Sequence, residues 1–109
     1  MGIKESIEAT CPDCRGPLSV TRNETLVEFR CLVGHTYSAK GLLAAHSDAQ
    51  EKALWQAVVS LKESANIVDA VADQVAPELL AKLRLQVKKK LAEAAALEDI
   101  LENLEAFEL

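Results

Sequence analysis

The chain has 109 residues, enough for one ordinary domain or for a small module with an extension. Half of them are hydrophobic but only four are aromatic, and Ala, Leu and Val supply most of the apolar content, which favours long helices over a large sheet. Residues 1–46 hold five basic and five acidic side chains, and residues 47–109 hold seven and twelve, so the net charge of −5 lies in the second part. A nucleic-acid-binding protein normally offers a basic face to phosphate, and this balance argues against one.

No apolar run approaches the roughly 18 residues of a membrane helix, and no signal peptide precedes the first cysteine. The three cysteines are an odd number, so a disulfide framework would leave one unpaired, and a reducing compartment fits better. We therefore expect a cytoplasmic protein with no membrane association. Residues 1–8 precede the first motif and are predicted to form a flexible N-terminus.

All three cysteines and one of the two histidines fall at the spacing of metal ligands. Cys11 and Cys14 form a C-x2-C pair, and after sixteen further residues Cys31 and His35 form a C-x3-H pair. Zn²⁺ prefers a closed tetrahedron of thiolate and imidazole ligands that arrive on two short chelating turns. The sequence therefore predicts one structural zinc ion per chain, bound by Cys11, Cys14, Cys31 and His35. Four protein ligands leave no open coordination position, so we expect no enzymatic activity.

Other interpretations of these residues remain. A C-x2-C pair also suits a redox dithiol, but that motif is expected inside a βαβ unit, whereas residues 18–29 resemble a hairpin. The cysteines could also be buried and unliganded. His46 is the only other imidazole and is an alternative fourth ligand, although the C-x3-H spacing favours His35. Gly16 and Gly34 are expected to supply the positive φ values that let backbone wrap around a metal.

The segment between the two ligand pairs predicts a β-hairpin. Residues 18–22 and 25–30 alternate in polarity and are rich in β-branched side chains, with Asn23 and Glu24 as turn material. The hairpin would join the two ligand-bearing turns, called knuckles, in the arrangement of a zinc ribbon. A two-stranded hairpin is marginal in water, so the metal is expected to supply much of its stability.

A short helix and then a long helix are predicted after the hairpin. Ser38 is a natural N-cap for the short helix, which belongs with the zinc ribbon to a first segment over residues 9–46. Ser47 and Asp48 offer a second N-cap, from which a long helix is predicted to run to Val75. Its apolar residues recur at alternating steps of four and three, the rhythm of a packed helix seam. They are Leu54, Val58, Leu61, Ala65, Val68, Ala72 and Val75.

Pro77 cannot continue a helix interior but suits the first turn of the next helix. That helix repeats the same steps, broken only by Lys90, for which Leu91 is expected to substitute. Its seam is Leu80, Leu83, Val87, Lys90, Ala94, Leu97, Leu101 and Leu104. The short connection predicts an antiparallel helical hairpin over residues 47–109. The predicted fold class is α+β, mostly α.

Two helices alone cannot bury every apolar residue of this hairpin. Side chains that widen the apolar stripe are Ile67, Val71, Ile100, Leu104 and Phe107. A third surface must cover them, and we expect homodimerisation into a four-helix bundle, with packing of the ribbon on its own helices as the alternative. Trp55 lies one residue off the seam and is expected to anchor the first helix on the ribbon or on a partner.

The residues CPDCRGPL at 11–18, FRCLVGHTYS at 29–38, LLAA at 42–45 and ALW at 53–55 form a recognisable series. It resembles the C-terminal extension of some bacterial proteins of the chemotaxis methylesterase type, in which a zinc ribbon of the form CPxC…RCxxGHxYS precedes a helix carrying ALW. The resemblance implies a bacterial origin, a cytoplasmic setting and a signalling protein as partner in chemotaxis-like signalling. The 109 residues include neither the receiver nor the esterase domain of those proteins, so no catalytic residue is carried over.

The sequence thus predicts a non-enzymatic interaction module that is stabilised by structural zinc and self-associates through its helices. The alternative is a zinc-ribbon regulator that binds nucleic acid, since ribbons often serve that class. That alternative requires four basic side chains to share one face. They are Arg15, Arg22, Arg30 and Lys40.

Overall fold

A computed structural model describes residues 3–107 of the chain, in which a four-stranded antiparallel sheet is followed by two long helices. This is the predicted α+β, mostly α class. The chain divides into two compact units. The sheet unit comprises the described residues up to Ala49 together with Ala106 and Phe107, and the helical unit spans Gln50–Glu105.

The sheet contains four strands that lie side by side in the order of the chain. They are β1 (Ile3–Thr10), β2 (Pro17–Arg22), β3 (Val27–Cys31) and β4 (Thr36–Tyr37). Each neighbouring pair is antiparallel, so short turns are sufficient to connect them. The expected two-stranded ribbon is therefore the centre of a wider sheet.

Strand β1 corrects the prediction of a flexible N-terminus over residues 1–8, of which residues 1–2 lie outside the described part. From Ile3 to Ser6 the strand pairs regularly with β2, and the register shifts before Thr10. Its polar residues hide the strand signal in the sequence, because pairing with β2 is a long-range contact that local alternation does not reveal. Ile7 and Ala9 beyond the regular part pack against the core of the sheet unit.

The central hairpin is confirmed, and its turn is built on Asn23. The side-chain Oδ1 of Asn23 accepts hydrogen bonds from the backbone amides of Thr25 at 3.3 Å and Leu26 at 3.0 Å. The backbone amide of Asn23 also donates to the carbonyl oxygen of Leu26 at 2.9 Å. An Asn side chain that satisfies nearby backbone donors is a strong turn former, so this residue sets the register of β2 against β3.

The core of the sheet unit is small. Its buried cluster consists of Cys11, Leu18, Cys31 and Leu42, with Phe29 and Tyr37 among the partly buried residues around it. Two of the four buried members are predicted metal ligands. The apolar area available to stabilise this sheet is therefore limited.

Helix α1 (Ala39–Val71) starts as predicted, since the Ser38 Oγ accepts a hydrogen bond from the backbone amide of Gly41 at 3.0 Å. The expected break at Ser47 and Asp48 is wrong, because α1 continues through both residues. Ser and Asp favour N-caps but do not by themselves end a helix. The sequence from residue 42 to residue 71 contains neither Pro nor Gly, so nothing interrupts the backbone hydrogen bonds.

Within the helical unit, α1 ends at Val71 and a single 3₁₀ turn over Ala72–Gln74 leads to α2 (Pro77–Glu102). The predicted position of Pro77 in the first turn of α2 is confirmed. Across residues 3–107, neither helix combines the length and apolar character that crossing a bilayer requires.

Two ion pairs link the helices and establish that they run antiparallel. The Lys62 Nζ lies 3.1 Å from the Glu98 Oε1, and the Arg84 Nη1 lies 2.9 Å from the Asp69 Oδ1. Moving forward along α1 therefore corresponds to moving backward along α2. Three of these side chains are more than half exposed and that of Glu98 is 37% exposed, so the pairs indicate the relative direction of the helices but add little stability.

The predicted seam describes the packing of the helical unit well. Every seam residue predicted on the first helix is buried or half-buried, and Val58 is only 1% exposed. On α2, Ala94 is fully buried. Lys90 is exposed and Leu91 is 41% exposed, so Leu91 does not substitute for it.

Candidate metal centre

The structure brings the four predicted ligands into one group. Cys11 directly follows β1, Cys14 lies in the next turn, Cys31 ends β3, and His35 directly precedes β4. Their ligand atoms all lie within 4.8 Å of one another. The sheet thus places two sequence-distant turns side by side at one end.

The distances within this group suit a tetrahedral ion. The His35 Nδ1 lies 3.2 Å from the Cys31 Sγ and 3.5 Å from the Cys11 Sγ. A tetrahedral site with ordinary zinc bond lengths separates sulfur from nitrogen by about 3.6 Å. Because the observed separations are close to this value, the group could hold a metal ion, with Nδ1 as the coordinating nitrogen of His35.

The first knuckle is a tight turn closed by its own backbone. The amide of Cys11 donates to the carbonyl of Gly16 at 2.8 Å, and the amide of Arg15 donates to the carbonyl of Cys11 at 2.7 Å. Positive φ occurs at Arg15, with a value of 61°, and not at Gly16 as predicted. Gly16 instead lets the backbone lie close to the Cys14 sulfur. Its amide donates to the Cys14 Sγ, and an added Cβ would lie 3.3 Å from that sulfur.

The second knuckle has the predicted left-handed glycine. Gly34 has a φ of 99°, and its amide donates to the carbonyl of Cys31 at 3.2 Å. The amide of His35 donates to the Cys31 Sγ at 3.2 Å, and the amide of Cys31 donates to the carbonyl of His35 at 3.0 Å. An amide aimed at a sulfur stabilises the thiolate, which is the form that binds metal.

The environment of Cys11 also favours the thiolate. Burial acts to raise its pKa, but a hydrogen bond with Tyr37 and the backbone amides of Cys14 and Asp13 outweigh burial and lower the pKa from 9.0 to about 6. For Cys31 burial likewise opposes ionisation, and backbone hydrogen bonds led by that of His35 lower the pKa overall.

The other two ligands respond to the crowding of sulfurs. The amide of Gly16 acts to lower the pKa of Cys14, but burial and the sulfurs of Cys31 and Cys11 raise it overall. Hydrogen bonds to Cys31 and then to Cys11 raise the pKa of His35. The neighbouring sulfurs thus favour a bound proton at both residues, and the same excess of negative charge would stabilise a metal cation in its place.

His46 is not part of this group, which agrees with the preference for His35. Its Nε2 lies 2.9 Å from the carbonyl oxygen of Thr10, so the ring is hydrogen-bonded to the end of β1. Among residues 3–107 the only cluster of metal-binding side chains is the Cys3His group.

Sequence reasoning missed two residues that contact the site. The Tyr37 Oη lies 3.3 Å from the Cys11 Sγ and also donates a hydrogen bond to the Asp13 Oδ2. Asp13 lies inside the C-x2-C pair and Tyr37 follows His35 by two residues. Their positions within two residues of predicted ligands were the only hint in the sequence that they lie at the site. The contact between Asp13 and Tyr37 depends on how the two knuckles come together.

The basic residues named for nucleic-acid binding do not share a face. In β2, Arg22 lies on the same face as Leu18 and Val20, whereas Arg30 of β3 is opposite Ser19 and lies on the other face. Arg22 is also ion-paired with Glu5 at 2.9 Å.

A scan against protein-family models and searches of curated proteins and of solved structures found no match to this chain.

Proposed function

We propose that this chain is a non-enzymatic interaction module, in which one structural zinc ion holds the sheet unit together and the helices mediate self-association. The Cys3His group carries the proposal. Three thiolates and one imidazole at tetrahedral spacing are a donor set typical of structural zinc sites. Other common divalent metals, such as Mg²⁺ and Ca²⁺, prefer oxygen ligands. Because the four protein ligands complete the coordination, the ion would supply structure and no reactive position.

The weak core of the sheet unit supports a structural role for the ion. Cys11 and Cys31 are two of the four residues in its buried cluster, and the other two are Leu18 and Leu42. Val20 is the one further buried residue in the described strands. Structural zinc sites bind with apparent free energies on the order of 10 kcal/mol, which also count toward folding. This magnitude is comparable with the net stability of a whole small domain, about 5–15 kcal/mol.

The exposed apolar residues of the helical unit support self-association. Ile67, Val71, Leu79 and Ile100 are exposed, and each precedes a seam residue by one position, so all four lie on one side of the helical hairpin. We call this side the apolar side. The four ion-paired residues each follow a seam residue by one position and lie on the opposite side.

The arrangement of the apolar side suits a second copy of the same chain. Ile67 and Val71 lie toward the connection between the helices, and Ile100 lies toward their open end. A two-fold axis through the middle of this side would place Ile100 of each copy near Ile67 of the other. The product would be a four-helix bundle, in which the helical hairpin of each copy covers the apolar side of the other.

The resemblance to the extension of chemotaxis methylesterase-type proteins supports a bacterial, cytoplasmic role with a signalling protein as partner. A binding assay of the zinc-loaded chain against purified receiver and methylesterase domains of that type tests this part. No binding to either domain at about 100 µM, a concentration that would detect weak interfaces, would remove it.

Two measurements on purified, untagged protein test the function as a whole. We expect elemental analysis to find one zinc ion per chain, and light scattering after size exclusion to find a dimer at concentrations of about 50 µM. Absence of bound metal would contradict the structural site, and a monomer would contradict self-association. Nucleic-acid binding is not proposed, because Arg22 and Arg30 lie on opposite faces of the sheet.

A further inference from the structure

One hydroxyl group connects the two knuckles of the candidate metal centre. Asp13 lies in the first knuckle, between Cys11 and Cys14, and Tyr37 lies in β4 just after the second. The Tyr37 Oη donates a hydrogen bond to the Asp13 Oδ2, and the same oxygen lies 3.3 Å from the Cys11 Sγ. The hydroxyl therefore contacts a carboxylate of one knuckle and the sulfur of a ligand at the same time.

We propose that Tyr37 and Asp13 are positioning residues that hold Cys11 in its coordinating orientation and set how slowly the bound metal leaves. This inference rests on the proposed zinc site. Ligands of metals are usually oriented by hydrogen bonds from residues that do not touch the ion, and loss of such partners typically weakens metal binding about 10- to 100-fold. Tyr37 and Asp13 stand in that relation to Cys11.

Burial explains why Cys11 needs this support more than the other ligands. Cys11 is fully buried, whereas Cys14 and His35 are exposed and can be hydrated. Cys31 is also buried, but its sulfur accepts the backbone amide of His35. At a buried sulfur, water cannot take the place of a lost protein contact. The Tyr37 hydroxyl oxygen is the side-chain contact of the Cys11 sulfur beyond the ligands themselves, and the hydrogen bond from that hydroxyl to the Asp13 carboxylate fixes where the oxygen lies.

The ring of Tyr37 has a separate role, which allows the hydroxyl to be tested alone. Tyr37 is opposite Phe29 in the pairing of β4 with β3, and its ring packs against the buried cluster of the sheet unit. Tyr37→Phe keeps the ring and the strand pairing and removes only the hydroxyl. Asp13→Asn keeps the size of the side chain and removes its charge.

The test is the rate at which zinc-loaded protein transfers its ion to an excess of a chromogenic chelator. We expect release from Tyr37→Phe to be about 10- to 100-fold faster than from the unaltered chain, and release from Asp13→Asn to be intermediate. The double variant should release no faster than Tyr37→Phe, because both changes act through one hydroxyl. Additive effects of the two changes would contradict a shared action.

Thr36→Val is the matched control. It removes a neighbouring hydroxyl that donates to the carbonyl of Gly34 at 3.2 Å and does not contact Cys11. We expect its release rate to stay near that of the unaltered chain. Cobalt-loaded Tyr37→Phe should keep the sulfur-to-cobalt absorption of three thiolates, which shows that positioning and not the ligand set has changed.

Release from Tyr37→Phe within about twofold of the unaltered chain would overturn the inference, as would equal acceleration in Thr36→Val. If Tyr37→Phe does not fold, Asp13→Asn decides, because it leaves β4 intact, and unchanged release from that variant would overturn the inference. Failure of the unaltered chain to bind zinc is a different result, which would refute the proposed function itself.

Discussion

The His35 Nδ1 lies 3.2 Å from the Cys31 Sγ, so the two side chains of the C-x3-H pair meet through the ring nitrogen nearer the backbone. The amide of the same histidine donates to the same sulfur at 3.2 Å. One residue therefore contributes a ligand to the group and also orients another ligand.

The role of His35 can be tested against the only other histidine. We expect His35→Ala to weaken zinc binding by on the order of 100-fold, or about 2.8 kcal/mol, because three ligands remain. His35→Cys should retain zinc by replacing the missing donor with a thiolate. His46→Ala is the control, since the ring of His46 bonds to the Thr10 carbonyl outside the group. Competition with a chelator of known affinity measures all three, and equal losses from His35→Ala and His46→Ala would refute the assignment.

Removal of the metal should affect the two units differently. We expect Cys31→Ser, or chelation of the ion, to abolish the order of the sheet unit, because Cys31 belongs both to the ligand group and to the small core. Much of the helical circular dichroism should remain, since the ligands lie outside Gln50–Glu105. Amide dispersion in NMR spectra and far-ultraviolet circular dichroism report on the two units. Complete loss of helicity would contradict their independence.

The single tyrosine provides a probe of alkaline stability. Its hydrogen bond to Asp13, and then its contact with Cys11, raise the pKa of Tyr37 above its ordinary value of 10.0. The resulting stabilisation is complete below pH 10 and is lost as the pH rises through the folded-state pKa. In zinc-loaded protein we expect phenolate absorbance to appear well above pH 10, together with unfolding of the sheet unit.

Asp13→Asn is the companion variant for this titration. It removes the first cause of the raised pKa, so phenolate absorbance should appear at lower pH than in the unaltered chain. Identical titration curves for the two proteins would show that the hydrogen bond between Tyr37 and Asp13 is absent in solution.

Two adjacent valines offer a test of the helical seam. Val58 is 1% exposed and Val59 is 49% exposed, although both lie in the same part of α1. We expect Val58→Ala to lower the free energy of unfolding by about 2 kcal/mol through loss of buried methyl groups. Val59→Ala should change it by no more than about 0.5 kcal/mol. Urea denaturation followed by circular dichroism measures both, and equal effects would place the seam elsewhere.

The apolar side can be tested with one charge. Ile67 on that side is 64% exposed in the single chain, and Ile67→Glu would place a carboxylate in the proposed dimer interface. We expect this variant to be monomeric by light scattering. Leu85 is 71% exposed and lies two positions from the seam residue Leu83, on the outer surface of α2, so Leu85→Glu should remain a dimer. The reverse pattern would place the interface on the outer surface.

Local patterns in the sequence predicted features that depend on neighbouring residues. The Asn23 turn, the Ser38 cap and the start of α2 at Pro77 each follow from the chemistry of one side chain and its nearest backbone. The seam followed from periodicity, because residues three and four apart share one side of any helix. The helix break predicted at Ser47 was wrong, because a capping residue expresses only a local preference. Neighbouring residues that favour helix can override that preference.

By its own spacing, the sequence determined the grouping of three cysteines and His35, the central hairpin and the seam of the helices, since short turns and helical periods are local properties of a chain. Only the tertiary structure decided that Ile3–Thr10 is a strand, that Arg15 and not Gly16 takes a positive φ, and that Tyr37 meets Asp13 beside Cys11. Each of these depends on which distant segments come to lie side by side. That choice is made by the combined free energy of packing and pairing, which no short stretch of sequence contains.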